Sequence, residues 1–488
     1  MRNFLSSTLF ALVLVGVTFY FFGDPKWIGL EKMPFSSSGA SGKKINSAKG
    51  CDIDQKTYDK AAVFEPLDMD AAGNNIPPAV SLLQYAPTRN SQGQQGSCVG
   101  WANGYAARTI LEAAATGKRP DETIFSPAFV YNQIGNKECH GSYTLDALTL
   151  LQYKGAALLK DFAYDESSCT RKPTEDELSQ AANYKINGFT RISKSGDNYD
   201  LDLDALKQNI AQGGVIVIGM MVPNSFSYLQ GQELWEPESS ERQNVTAHGG
   251  HAMCVIGYDD NKYGGAVQIM NSWGSDWGKD GIVWVKYADF LQFTREGYAM
   301  FPSSKSKNVS QDAFQIAVGL QKIEGNRLTD FIPLTASSKG SNTFLNKTPL
   351  KKGDRFKIVF ENTKDCYVYL YSWDDNGSFL LFPYAKTSPY FGITGVRTFP
   401  KEKSFIVDDV GNYDFMSIVV SKKPLDAQAL NEAINENSSS NYEAAVVKSL
   451  KTELVPNVRW GLMENRILFD GDRAGKNALV MCFQLSKQ

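Results

Sequence analysis

Between Pro302 and Asp312 the chain loses every sign of regular structure. Ser303, Ser304, Lys305, Ser306 and Lys307 carry neither the 3.6-residue period of a helix nor the alternation of a strand. One continuous core cannot run through such a stretch, so a domain boundary falls there. The chain has 488 residues, enough for roughly three units at about 150 residues each, and both sides of the break can hold large cores. Hydrophobic residues at 42% and charged residues at 21% exclude a disordered chain. Fifty Lys and Arg against 53 Asp and Glu leave a net charge of -3, so no basic field draws in a phosphate backbone and no nucleic-acid partner is expected. Seven cysteines are too few for a disulfide scaffold, and no clustered Cys/His spacing suggests a metal. No metal and no cofactor are expected.

Residues 4–22 form an uncharged run of 19 residues. At a rise of about 1.5 Å per residue this crosses a bilayer core of about 30 Å. Residues 1–23 therefore read as an N-terminal transmembrane anchor, with a cleaved signal sequence as the alternative, although no small-x-small site follows Gly23. Arg2 on one side and Lys26 and Lys32 on the other leave the orientation nearly tied. Residues 24–75, with Ser36, Ser37, Ser38, Gly39, Ser41 and Gly42, read as a polar tether. The expected order is completed by a catalytic domain over 76–302, a linker over 303–312 and a mainly β accessory domain over 313–488.

Chemistry concentrates in the central region. A glycine-rich turn, Gly93-Gln94-Gln95-Gly96-Ser97, leads into a helix whose Val99, Ala102, Ala106, Ile110 and Ala113 share one face, with Gly117 and Pro120 closing it. Cys98 falls at the helix amino end, where free backbone N–H groups and the dipole favour the thiolate, the nucleophilic form. Only three histidines exist, His140, His248 and His251. His251 follows two glycines and opens an apolar run of strand length, while His248 and His140 read as loop residues. The run Val267-Gln268-Ile269-Met270 is a strand that ends on Asn271, ahead of Ser272-Trp273-Gly274. A nucleophile needs a base, and the base needs a third group to fix its tautomer; Cys98, His251 and Asn271 fill those parts.

With these three pieces in order, the region from about residue 78 to 301 resembles a papain-like (C1 family) cysteine peptidase of bacterial type. The resemblance implies an α+β, two-lobed catalytic domain, one lobe helical and one β-barrel-like. It implies Cys98 as attacking thiolate, His251 as its proton partner, Asn271 as the orienting amide and Gln92, six residues before the nucleophile, as oxyanion donor. Trp273 would shield the His–Asn bond, and Gly141, Ser142 and Tyr143 would line the substrate groove ahead of a helix over 145–152. Ser142 stands where the family has a second glycine. The usual Cys before the nucleophile is absent and the aromatic is displaced to Trp101. The spacing from Cys98 to His251 and Asn271 exceeds the family's, which assigns an insertion to 223–247, with Leu234 and Trp235 bordering the cleft. Cys139 and Cys169 match family cysteines that pair with others, so a direct bridge between them is one of the alternatives. Cys254 reads as a small buried hydrophobe. A conventional helical prodomain is not expected ahead of residue 78.

Beyond residue 313, apolar runs at 314–320, 356–360, 367–373, 379–382, 415–420 and 478–485 alternate with turn signals, among them Asp375-Asn376-Gly377, and 425–437 reads as one short helix. This predicts a mainly β, sandwich-like domain. It resembles a bacterial β domain of unknown function, and a protein or glycan ligand is its expected partner. The function expected of the whole is a membrane-tethered thiol peptidase acting on peptides or proteins outside the cytoplasm, periplasmic or at the cell surface, or secreted if the leader is cut. An acyl transferase or amidase using the same residues, and a catalytically silent adaptor, remain as alternatives.

Overall fold

The computed structural model describes residues 48–71, 75–136, 138–302, 313–325, 327–437, 441–472 and 475–488. The apolar run 4–22, the first part of the tether and the linker 303–312 lie outside them. Among the described residues no helix is long and apolar enough to cross a membrane.

The first lobe is helical. Its central helix α1 covers 98–116, with more widely wound turns at Trp101–Arg108. Val99, Ala102, Ala106, Ile110 and Ala113 are all buried, and the helix stops at Gly117, whose φ of 68° is open to glycine at little cost. Two more helices, α2 (Pro127–Ile134) and α3 (Thr144–Tyr153), pack beside it.

The second lobe is a strongly apolar sheet. Its strands are β1 (Ala79–Ser81), β2 (Ile186–Arg191), β3 (Val215–Val222), β4 (Leu234–Trp235), β5 (Gly249–Asp259), β6 (Ala266–Met270), β7 (Ile282–Lys286) and β8 (Thr294–Pro302). The order is β2-β8-β3-β5-β6-β7-β4, with β1 paired to β5. Helix α1 packs on β3 and β5, and a helix at Leu203–Ala211 also packs on them. Cover by helices accounts for the continuous Val-Ile-Val-Ile run in β3. One hydrophobic cluster joins both lobes, from Val99 and Ile110 to Val255 and Ile269.

Residues from 313 onward build two seven-stranded sheets. The first runs through Ala313–Glu324, Arg355–Asn362, Gly395–Phe399 and Arg466–Asp472; the second through Cys366–Asp374, Gly377–Phe382, Tyr413–Ser421 and Ala478–Ser486. Val318, Ile358 and Phe360 from one face meet Leu370, Ile418 and Met481 from the other, which makes a sandwich core. The expected helix appears at Ala427–Glu436, but a second one, Tyr442–Leu450, stands beside it. Both close over Tyr369, Tyr371 and Val480 on the outer face of the second sheet.

Two expectations need correction. Leu234 and Trp235 do not border the cleft: they form an edge strand parallel to β7, with Trp235 fully buried between Phe226 and Phe293. Residues 48–71 are not a tether. Tyr58, Ala61, Val63, Phe64 and Leu67 are all buried, and this segment crosses both lobes and the β sandwich.

Candidate active site

The fold brings Cys98, His251, Asn271 and Gln92 together between the lobes. Cys98 is the first residue of α1, and its sulfur accepts the Ala252 N–H at 3.4 Å. His251 is the third residue of β5, opposite Met220 of β3. Because β6 runs antiparallel to β5 with Met270 opposite Cys254, the chain leaves β6 at Asn271 beside the start of β5.

The amide of Asn271 fixes the imidazole. Its Oδ1 accepts the Ser272 backbone N–H at 2.7 Å, so this atom is the oxygen. His251 Nε2 lies 2.8 Å from the same oxygen and must therefore carry a proton and donate it. Nδ1 keeps its lone pair, is buried and has no hydrogen-bond partner. Trp273 stacks on the imidazole at 4.4 Å with 28° between the planes.

Gln92 is fully buried, with its Oε1 accepting the Ser272 hydroxyl at 2.6 Å and its Nε2 donating to Gln95 O at 2.8 Å and Ala48 O at 3.1 Å. Ser272 thus orients both Asn271, through its N–H, and Gln92, through its hydroxyl. Sequence reasoning assigned Ser272 no part; its place directly after Asn271 was the available signal. Tyr164 also went unassigned. Its hydroxyl donates to Gln92 O at 2.8 Å and lies 2.7 Å from the Ser97 hydroxyl.

The groove between the lobes holds part of the chain itself. Ala48 O accepts from both Gln92 Nε2 and Trp273 Nε1, each at 3.1 Å. Cys51 N donates to Gly250 O at 3.2 Å, Ser142 N to Gly50 O at 3.1 Å, and Asp52 N to Ser142 O at 3.0 Å. Gly141 and Ser142 therefore line an occupied cleft: a Cβ on Gly141 would come within 3.2 Å of the Asp52 carboxylate. Tyr143 is half-buried at the start of α3. Farther along, Asp54 N donates to the buried Glu296 at 3.3 Å. Cys139, which precedes this wall, is disulfide-bonded to Cys169.

Enclosure sets the electrostatics. Burial pushes the Cys98 thiol up to about 12, against the partial help of N–H groups from Ala252, Gly50 and Val99. Burial also pulls His251 down to about 3, opposed by its bond to Asn271. In this covered state both groups are neutral, so the helix-end thiolate expected from sequence is not the species present: loss of solvent outweighs the helix dipole.

Residues 84–300 match the family model for papain family cysteine proteases. Over this region, a little under half of the chain, the sequence is similar to papain family cysteine proteases. Among curated proteins, the chain is 27% identical over 265 residues to a cathepsin B-like protein, CP2, of Giardia intestinalis, covering 53% of this chain and 81% of that one. It is 28% identical over 199 residues to cathepsin K of Mus musculus, covering 40% of this chain and 54% of the relative. Among solved structures, xylellain, a cysteine protease from Xylella fastidiosa, matches with 24% identity and a TM-score of 0.43 over 54% of this chain and 98% of that one. The matched region thus reads as a papain-like cysteine protease, and a largely β region follows it in the chain.

Proposed function

We propose that this protease hydrolyses peptide bonds in peptide or protein substrates through an acyl thioester on Cys98. The observation that carries the reading is the tautomer of His251, which Asn271 and Ser272 hold with Nε2 protonated and Nδ1 free to act as base. Nδ1 takes the Cys98 thiol proton as the sulfur adds to the scissile carbonyl carbon. The oxyanion that forms is met by Gln92 Nε2 and the Cys98 backbone N–H. The C–N bond then breaks as the imidazolium returns its proton to the leaving amine, and water resolves the thioester by the same route in reverse. Gly141, Ser142 and Tyr143 are assigned to the groove wall and Trp273 to the shield over the His–Asn bond.

The domain order that goes with this reading is an anchor at 1–23, a catalytic domain at 76–302 and an accessory domain at 313–488, with the catalytic domain held at a membrane outside the cytoplasm. Support for the anchor is the 19-residue apolar run alone. Protease accessibility in intact cells tests it.

The direct test of the chemistry is cleavage of a peptide library by the full chain and by Cys98→Ala. Cleavage is expected to vanish in the variant. An unchanged rate would remove Cys98 from the mechanism.

A further inference from the structure

Residues 48–54 lie in the groove, where Lys49 Nζ donates to Val222 O at 2.5 Å and Cys51 and Ile53 pack against the lobes. Gly50 passes so close to the turn before Cys98 that a Cβ on it would stand 2.0 Å from Gly96 O. The stretch of chain immediately C-terminal to this segment is held twice. Tyr58 O–H donates to Gly297 O in β8 at 3.0 Å, and Asp59 takes ion pairs from Arg191 at 3.3 Å and Lys386 at 3.0 Å, one from each side of the domain break. Val63 then bridges Arg191 of β2 and Thr387 of the β sandwich at once. Its N–H donates to Lys386 O at 2.6 Å and its carbonyl accepts from Ser388 N at 2.8 Å, while Phe64 N donates to Arg191 O at 2.9 Å. Asp68 N donates to Val396 O at 2.9 Å, the Asp68 carboxylate accepts from Thr398 Oγ1 at 2.6 Å, and Arg397 Nε donates to Glu65 O at 3.1 Å.

We propose that the β sandwich carries a binding site for an extended peptide, built from Lys386–Ser388 and Val396–Thr398, and that its ligand is residues 59–68 of this same chain. By gripping that stretch against the protease lobes, the accessory domain keeps residues 48–54 over Cys98, and the groove opens only when the grip is released. Backbone hydrogen bonds at Val63 and Asp68 hold the peptide as in strand addition, while Phe64 and Leu67 are buried in the hydrophobic cluster of the protease lobes. The ligand is already tethered to its site, so its effective concentration is high and no free peptide competes easily.

The inference rests on Cys98 being the nucleophile, and its test separates the two claims. In the full chain, alkylation of Cys98 by iodoacetamide reports opening, and hydrolysis of a fluorogenic peptide reports chemistry. Val63→Pro removes the bridging N–H, Lys386→Glu turns an ion pair at the rim into a repulsion, and Gly50→Val lifts the segment directly. Alkylation tracks the open fraction, so each variant is expected to react at least about tenfold faster than wild type. Folding is checked by circular dichroism, and Lys386→Glu, half-exposed, keeps the test alive if Val63→Pro fails to fold. If Gly50→Val reacts faster while Val63→Pro and Lys386→Glu match wild type, the β sandwich is not the clamp. If no variant reacts faster, the segment does not gate the sulfur. Faster alkylation without peptide cleavage leaves the latch standing and overturns the peptidase reading instead.

Discussion

The Ser272 hydroxyl donates to Gln92 Oε1 across 2.6 Å inside the buried site, and so decides which end of the Gln92 amide faces the groove. With the oxygen occupied, only the NH2 can point at a carbonyl, and here it meets Ala48 O. Gln92→Ala, made in the Gly50→Val background so that the groove is free, is expected to lower kcat about 100- to 1000-fold, the usual effect of losing one oxyanion donor. Ser272→Ala leaves the donor present but free to turn. It is expected to cost about fivefold, matching the loss of one net hydrogen bond of about 1 kcal/mol, with KM little changed. Steady-state kinetics on one peptide substrate check both. An equal fall in the two variants would mean that the hydroxyl does more than orient the amide.

Asn271 acts on the proton rather than on the substrate. Asn271→Ala removes the acceptor that holds His251 Nε2–H, and leaves the ring free to present the wrong nitrogen. A fall in kcat of at least about tenfold is expected, scaled from the 1.4 kcal/mol that each factor of ten represents. Asn271→Asp keeps the acceptor and adds a negative charge, which raises the imidazole pKa. The acidic limb of the pH–rate profile should then move upward while much of the rate survives.

How much of this was legible in the sequence depends on the kind of contact that makes each part. The α1 stripe, the His251 strand and the strand ending at Asn271 are written in side-chain periodicity, so their pattern survives without coordinates. The sandwich strands are likewise visible as apolar runs between turns. Residues 48–71 are held largely by backbone groups that meet Arg191, Lys386 and Val396 far away in sequence, and backbone hydrogen bonding leaves no side-chain signature. Gly50, read alone, is an ordinary linker glycine; only the nearby Gly96 carbonyl gives it a reason. The Tyr442–Leu450 helix escaped because its buried face, Tyr442, Ala445, Val446 and Leu450, is short and follows a serine-rich stretch.

Glu65 gives the latch a pH dependence of known sign. It is buried under the accessory domain, facing Arg397 and Lys401, with Tyr384 also nearby. Burial raises its carboxyl to about 7 in spite of the two cations. A free glutamate titrates near 4.5, so between these values the closed state holds a proton that the open state releases. Closure is therefore favoured below about pH 4.5 and weakens as pH rises toward 7. Glu65→Gln keeps the shape and removes the ionisation. The ratio of wild-type to Glu65→Gln alkylation rates at Cys98 is expected to rise between about pH 4.5 and 7 by roughly tenfold or more, then level, since one pKa unit is worth about 1.4 kcal/mol. Taking the ratio cancels the titration of the sulfur and of His251. A flat ratio would mean that opening leaves the surroundings of Glu65 unchanged, so that residue 65 is not released with the segment.

Arg397 is where the accessory domain and the covering segment share one side chain. Its fully buried guanidinium donates to Glu65 O at 3.1 Å, to Asn362 Oδ1 at 3.0 Å and to Ile393 O at 3.4 Å, and it lies 4.1 Å from the Phe391 ring centre. Three acceptors in different directions suit a planar fork and not a single ammonium. Arg397→Lys keeps the charge but strands at least one buried carbonyl, and is expected to lower stability by about 1 to 3 kcal/mol in urea unfolding. The same substitution weakens the grip on residue 65, so Cys98 alkylation under native conditions should quicken in parallel. If stability falls while alkylation stays slow, Arg397 serves the sandwich core alone, and the hold on the covering segment resides in the Val63 and Asp68 contacts.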